Sequence, residues 1–203
     1  MSLRIVAIIL SAFLVGAGGA ILLSGVGTGG GITSSGATKT TGKALIGGPF
    51  EMVSHEGNEV THEELLGRHT LMFFGFTHCP DICPASLQVT SEALELLGDT
   101  AKSVQPVFVT VDPARDTPQV LKSYLEDFDD RILGLTGTQE QTNTIAKAYR
   151  IYHARVADPN SEGGYTVDHS AYLYLMSPEG EYIKHFQPAV QAEELVKGLK
   201  AAL

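Results

Sequence analysis

LMFFGFTHCPDICP, residues 71–84, is the stretch on which the reading of the whole chain turns. Residues 71–76 are apolar and rich in aromatics, with Gly75 among them, and a cluster of breakers follows. A run so short and so uniformly apolar reads as a strand buried on both faces. The chain's two cysteines come next, Cys79 and Cys83, separated by Pro80, Asp81 and Ile82. Beyond Pro84 the pattern turns helical, with Leu87, Ala93, Leu94 and Leu97 set among Gln88, Ser91, Glu92 and Glu95. A strand therefore runs into a turn carrying two thiols, and the turn runs into a helix. The helix amino end brings partial positive charge and free N–H groups to the sulfurs, which favours thiolate over thiol. Such a turn suits redox chemistry, a soft metal, or both.

The plain alternative is a structural disulfide, or two buried thiols packed as small apolar groups. A bridge across so short a loop constrains the unfolded chain little. Pro80 and Pro84 stiffen the turn, so its geometry matters. The spacing differs from the two-residue spacing of the commonest dithiol redox motif. With no second cysteine pair, a four-thiolate zinc site is excluded within one chain. A metal here needs a third ligand from elsewhere, and histidine is the natural source.

The 203 residues are 43% hydrophobic and carry a formal charge of −9, with a pI near 5.2. No basic stripe is available to neutralise phosphates, which argues against a nucleic-acid partner. At the amino end, Arg4 is followed by an uncharged apolar run, residues 5–23. As a helix it spans about 28 Å, close to the ~30 Å hydrocarbon core of a bilayer. A cleavable signal peptide is the rival, with a small-residue site at 17–20. Ile21, Leu22 and Leu23 continue the apolar run beyond that site, which favours an uncleaved transmembrane anchor at 1–23. The positive-inside tendency then places the remainder outside the cytoplasm, and a poised cysteine pair fits an oxidising compartment. A bacterial inner membrane is expected, crossed once, with the carboxy-terminal domain in the periplasm. Residues 24–43 are Gly, Thr and Ser with few large side chains, a flexible tether. Residues 44–203 suffice for one globular domain.

Within that domain, residues 48–61 read as an extra amino-terminal hairpin around Glu56-Gly57-Asn58, then a short capped turn begins at Thr61. Residues 104–111, VQPVFVTV, form a second buried strand, and Thr117 with Pro118 opens a helix. A short strand at 131–136 precedes a helix at 139–149. Residues 150–167 are irregular, an inserted loop or hairpin. Strands at 171–176 and 181–186 flank Ser177-Pro178-Glu179-Gly180, and a helix over 191–203 closes the chain. The sum is an α/β domain, a thioredoxin-like mixed sheet flanked by helices.

Of seven histidines, His55, His62, His69, His153 and His185 suit ordinary surface positions. His78 neighbours Cys79, but adjacent residues of an extended segment point apart, leaving it to tune charge. His169 lies immediately before a sheet strand, in the loop that packs across from the dithiol turn in this layout. Asp168 beside it supplies a carboxylate to orient the ring or a neighbouring group.

FGFTHCPDICP at 74–84, VDPARDTP at 111–118 and VDHS at 167–170, in this order after an apolar anchor, closely resemble the Sco/SenC proteins. The resemblance covers residues 44–203. It implies a membrane-tethered, thioredoxin-like copper protein that assembles the binuclear copper centre of cytochrome c oxidase. Carried over by motif, Cys79, Cys83 and His169 resemble the copper ligands, and Asp112 resembles a position close to the metal. The thioredoxin cis-proline is absent, and His169 occupies its neighbourhood. Two thiolates and an imidazole suit Cu(I), and a further ligand such as water admits Cu(II). The implied function is a copper metallochaperone rather than an enzyme. A thiol–disulfide reductase, with Cys79 and Cys83 as its redox pair, is the alternative, and a thiol peroxidase a distant third. The implied partners are the copper-centre subunit of the oxidase, other copper chaperones or thiol reductants.

Overall fold

The computed structural model is described for residues 45–188 and 190–203. The expected anchor and tether lie outside these residues. Among the described residues, no helix is long and apolar enough to cross a membrane.

The chain opens with the expected hairpin, β1 (Glu51–Ser54) and β2 (Glu59–Thr61), antiparallel about Gly57. Gly57 holds φ of +86°, a left-handed conformation that glycine adopts without penalty. The turn opened by Thr61 is a single 3₁₀ turn, His62–Leu65, with the Thr61 N–H donating to the Glu64 carboxylate at 3.1 Å. The central strand β3 (His69–Gly75) starts earlier than its apolar run, because polar His69 and Thr70 still pair with β4 (Val104–Thr110). Then follow α1 (Ile82–Leu97), α2 (Pro118–Leu125), β5 (Leu133–Thr136) and α3 (Gln139–Ala148). Thr117 caps α2 by accepting from the Val120 N–H at 3.3 Å, with Pro118 at the first helical position. The chain ends in a hairpin, β8 (Leu173–Met176) and β9 (Tyr182–Phe186), and in α4 (Ala192–Lys200). Seven strands form one mixed sheet, in the order β2-β1-β5-β4-β3-β8-β9. β3 sits between parallel β4 and antiparallel β8, so both its faces are covered, and Leu71 through Phe74 are at most 2% exposed.

Of the two forms expected for residues 150–167, a loop or a hairpin, the structure has the hairpin, and it runs on to His169. It is a separate antiparallel ribbon, β6 (His153–Ala157) and β7 (Tyr165–His169), whose register runs from His153 opposite His169 to Ala157 opposite Tyr165. His169 thus belongs to a paired strand and not to a loop. The alternation of β7 was hard to see because only Val167 of the ribbon is buried, while the outer residues of β6 face solvent.

Gly75 ends β3 where the first turn of α1 comes down upon it. A Cβ there would stand 2.8 Å from the Cys83 sulfur and 2.7 Å from the Phe108 ring. The bare backbone lets the thiol turn close over the sheet. Gly75→Ala is expected to destabilise the protein by about 1–3 kcal/mol through overpacking, measurable by urea unfolding. The same change displaces Cys83, so metal affinity falls with stability.

Candidate metal centre

β3 delivers its chain to Phe76, and the Cys79 N–H donates back to the Phe76 carbonyl at 3.2 Å, folding the turn. Helix α1 begins at Ile82, so Cys83 lies in its first turn and Cys79 just ahead of it. Cys83 is fully buried and Cys79 half-buried, both as free thiols.

The two sulfurs have opposite proton affinities. Cys79 is pulled down to about 4, first because the Cys83 thiol donates to its thiolate. The His169 ring and the N–H groups of Asp81 and Cys83 add to this, against the effect of burial. Cys83 is pushed strongly upward because its proton is held in that bond and its site is buried beside a negative sulfur. At neutral pH the pair therefore carries one proton and one negative charge. Alkylation of the reduced protein is expected at Cys79 alone, at a rate nearly constant from about pH 8 to about pH 6. An ordinary thiol loses about tenfold per pH unit over that range. Peptide mapping after timed quenching distinguishes the two.

His169 closes the site from the ribbon. Its Nε2 lies 3.6 Å from the Cys83 Sγ, and its Nδ1 faces the Ser170 carbonyl at 3.1 Å. Nδ1 faces that carbonyl, so it is Nε2 that is directed at the sulfurs. The Phe76 ring meets the His169 ring edge-on, with centroids 5.7 Å apart. A sulfur and a nitrogen bound to one ion at ~2.3 and ~2.0 Å stand about 3.5–3.7 Å apart, so the observed separation suits a shared metal. Among the described residues no three His, Cys, Asp or Glu side chains already stand in metal-holding geometry.

Of the two carboxylates, Asp168 is placed differently from expectation. Asp168 is exposed and alternates with His169 to the opposite face of β7, so the ring is oriented by the Ser170 carbonyl and not by Asp168. Asp112 is buried, and it accepts from Arg115 Nε, from Arg155 Nη2 at 3.2 Å and from the Tyr165 hydroxyl at 3.0 Å. The Arg115 guanidinium stacks over the Tyr165 ring at 3.9 Å, and its Nη1 donates to the carbonyls of Glu162 and Tyr165. Asp112 thus fastens the ribbon that carries His169 to the end of β4.

Asp116 escaped the sequence reading. It is fully buried, and its Oδ2 accepts from the Thr77 N–H at 3.0 Å and the Thr110 hydroxyl at 2.5 Å. Its Oδ1 accepts from the Thr77 hydroxyl at 2.6 Å. The carboxylate pins the start of the cysteine turn to β4. Its signal was present in VDPARDTP, where a second aspartate follows the first by one helical turn. His78 supplies a second tie, with Nδ1 3.0 Å from the Thr77 hydroxyl and Nε2 3.2 Å from Glu162.

Residues 38–203 match the SCO1/SenC family model. The chain belongs to the SCO1/SenC family. It is 40% identical over 158 residues to a SCO2-like protein of Rickettsia prowazekii, covering 78% of this chain and 77% of that one. Of yeast and plant relatives in the family it spans 48% to 62% of their length. The structure of Bradyrhizobium japonicum ScoI with copper bound is similar with a TM-score of 0.72 and 42% identity, over 78% of this chain and 99% of that one. BsSco, described as having a disulfide switch and as one of the Sco family of cytochrome c oxidase assembly proteins, aligns with a TM-score of 0.61 and 27% identity, over 79% of this chain and 95% of that one. These likenesses confirm the thioredoxin-like fold.

Proposed function

We propose that this chain binds copper and serves in assembling the copper centre of cytochrome c oxidase, carrying the ion as cargo on Cys79, Cys83 and His169. The observation that supports this most is the 3.6 Å approach of His169 Nε2 to the Cys83 sulfur. A dithiol exchanger has no need of an imidazole nitrogen aimed at its buried thiol, whereas a soft metal ion needs it as third donor. Relatives carry the same implication: one solved ScoI holds copper, and BsSco belongs to oxidase assembly proteins.

In this reading the low proton affinity of Cys79 presents a ready thiolate to an arriving Cu(I), and the proton on Cys83 is released as the second sulfur binds. Asp112 acts through the ribbon, holding β7 so that His169 faces the turn. Exposure of Cys79 leaves one bond of the bound ion open to exchange with a partner's ligands. Oxidation of both sulfurs to a disulfide removes two of three donors, so release is linked to redox state. The segment at 1–23, through its apolar run at 5–23, anchors the domain to a bacterial inner membrane, with the copper site in the periplasm.

A second reading has one observation in its favour, the pairing of an accessible low-pKa Cys79 with a buried Cys83. There the Cys79 thiolate attacks a target disulfide, and one target sulfur leaves as thiolate. Cys83 then resolves the mixed disulfide, leaving a reduced target and an oxidised pair here. The deciding experiment loads the reduced chain with copper and offers it to an apo fragment carrying the oxidase copper site. One copper bound per chain, followed by transfer, is expected. No stoichiometric binding to the reduced protein would sink the carrier reading.

A further inference from the structure

We propose that His153 is a second imidazole donor to the same metal, recruited when copper is held as Cu(II). This rests on Cys79, Cys83 and His169 being the copper ligands. Ribbon register sets His153 directly opposite His169. Opposed residues of an antiparallel pair leave the same face, with Cβ atoms ~4.5–5.5 Å apart. The other members of that face show where it points. Val167 is buried, and Arg155 reaches the buried carboxylate of Asp112. Both imidazoles therefore stand on the inner face of the ribbon, toward the end of β4 and the cysteine turn.

His153 is half-buried, and its ring nitrogens have no hydrogen-bond or ion-pair partner among the described residues. Most other partly covered histidines are engaged, and His69, which is not, stands at the far end of β3 from the cysteine turn. His55 Nδ1 accepts from the Gly134 N–H, His78 meets Thr77 and Glu162, and His169 meets Cys83 and Ser170. The His153 side chain lines a cavity of about 330 Å³ with Val111, Gln139 and Asn143, so this unused donor is open to an arriving ion. Recruitment requires rotation of that side chain toward His169, with the ribbon itself fixed.

Coordination chemistry decides which oxidation state uses it. Two soft sulfurs and one imidazole satisfy Cu(I), whereas Cu(II) favours a larger, tetragonal set in which imidazole nitrogens are good donors. With His153 the protein supplies two sulfurs and two nitrogens, and solvent no longer has to provide the fourth position. Cu(II) is then held selectively more tightly than three donors allow.

The test uses the full chain in detergent with its thiols reduced, loaded with one equivalent of Cu(II) or, without oxygen, of Cu(I). Electron paramagnetic resonance of the Cu(II) form is expected to show coupling to two imidazoles in the wild type and to one in His153→Ala. Affinity for Cu(II) should fall at least about tenfold more than affinity for Cu(I). Dithiol–disulfide cycling and circular dichroism check that the ribbon and turn survive, and His153→Gln replaces His153→Ala if it does not. One imidazole in the wild-type spectrum, or equal affinity ratios in wild type and variant, overturns the role of His153 while leaving three ligands in place. Unchanged copper affinity in His169→Ala overturns the three-ligand reading, and the His153 proposal falls with it.

Discussion

Cys79→Ser and Cys83→Ser are each expected to abolish tight copper binding, and His169→Ala to weaken it by more than about 100-fold while its two sulfurs still cycle between dithiol and disulfide. The scale follows from donor chemistry, since loss of a group that only supports a ligand already costs ~10–100-fold. Asp112→Ala acts through the ribbon and is expected to do less damage than His169→Ala. Neither serine variant leaves the two soft donors that Cu(I) requires, because a hydroxyl is a hard ligand with a high proton affinity. The reductase reading makes an asymmetric forecast. Cys83→Ser retains the attacking thiolate and lacks the resolving one, so it accumulates a mixed disulfide with its target. Cys79→Ser retains only the buried thiol, which a target disulfide does not reach, and captures nothing. Competition against a chromophoric Cu(I) chelator measures the affinities, and non-reducing electrophoresis detects trapped targets. If His169→Ala binds copper as the wild type does and supports oxidase assembly at limiting copper, the carrier role falls and the reductase takes its place.

Much of this site was legible because the features that build it are local. A two-sided apolar strand, a breaker cluster and a helical repeat follow one another within residues 71–97, and each leaves a periodic mark. Thr117-Pro118 announced α2 for the same reason, a cap beside a preset φ. The ribbon left no such mark. Its strands bury little, so β6 reads as ordinary polar chain, and the pairing of His153 with His169 is set by register rather than composition. His55, expected at the surface, is largely covered, because its partner Gly134 lies far along the chain. His55 continues the β1–β5 edge, its N–H donating to the Gly134 carbonyl and its ring accepting from the Gly134 N–H. Asp168 was overvalued for sitting next to His169, since strand alternation sends neighbours to opposite faces. Asp116 was passed over because aspartate in a proline-flanked turn usually faces water. Its burial depends on Thr77 and Thr110, which sit on separate elements and meet only in the folded protein.

Asp116→Ala is expected to destabilise the protein by about 3 kcal/mol and to unseat Cys79. The change leaves the Thr77 N–H and two hydroxyls without their acceptor in a buried site, and each buried unsatisfied group costs ~1–3 kcal/mol, less whatever water or repacking recovers. Thr77 begins the turn that holds Cys79, so the loss reaches the metal donors directly. Copper affinity should fall by about tenfold or more, and alkylation of Cys79 should become steeply pH-dependent as its supporting bonds loosen. Asp116→Asn keeps one acceptor oxygen and should cost less than Asp116→Ala. Comparison of the wild type with Asp116→Asn also has a definite pH dependence. Burial raises the Asp116 carboxyl, more than its bonds from Thr110 and Thr77 lower it. A raised carboxyl stabilises the folded state most below its ordinary unfolded value, ~3.9, and that contribution is lost as pH rises through the raised value. Asparagine does not titrate, so the stability deficit of Asp116→Asn should be largest in acid and shrink toward neutral pH. Urea midpoints for both proteins across that range measure it. A deficit that grows with pH would mean the hydrogen bonds outweigh burial, making Asp116 a stabilising buried carboxylate whose neutralisation, rather than its charge, strains the turn.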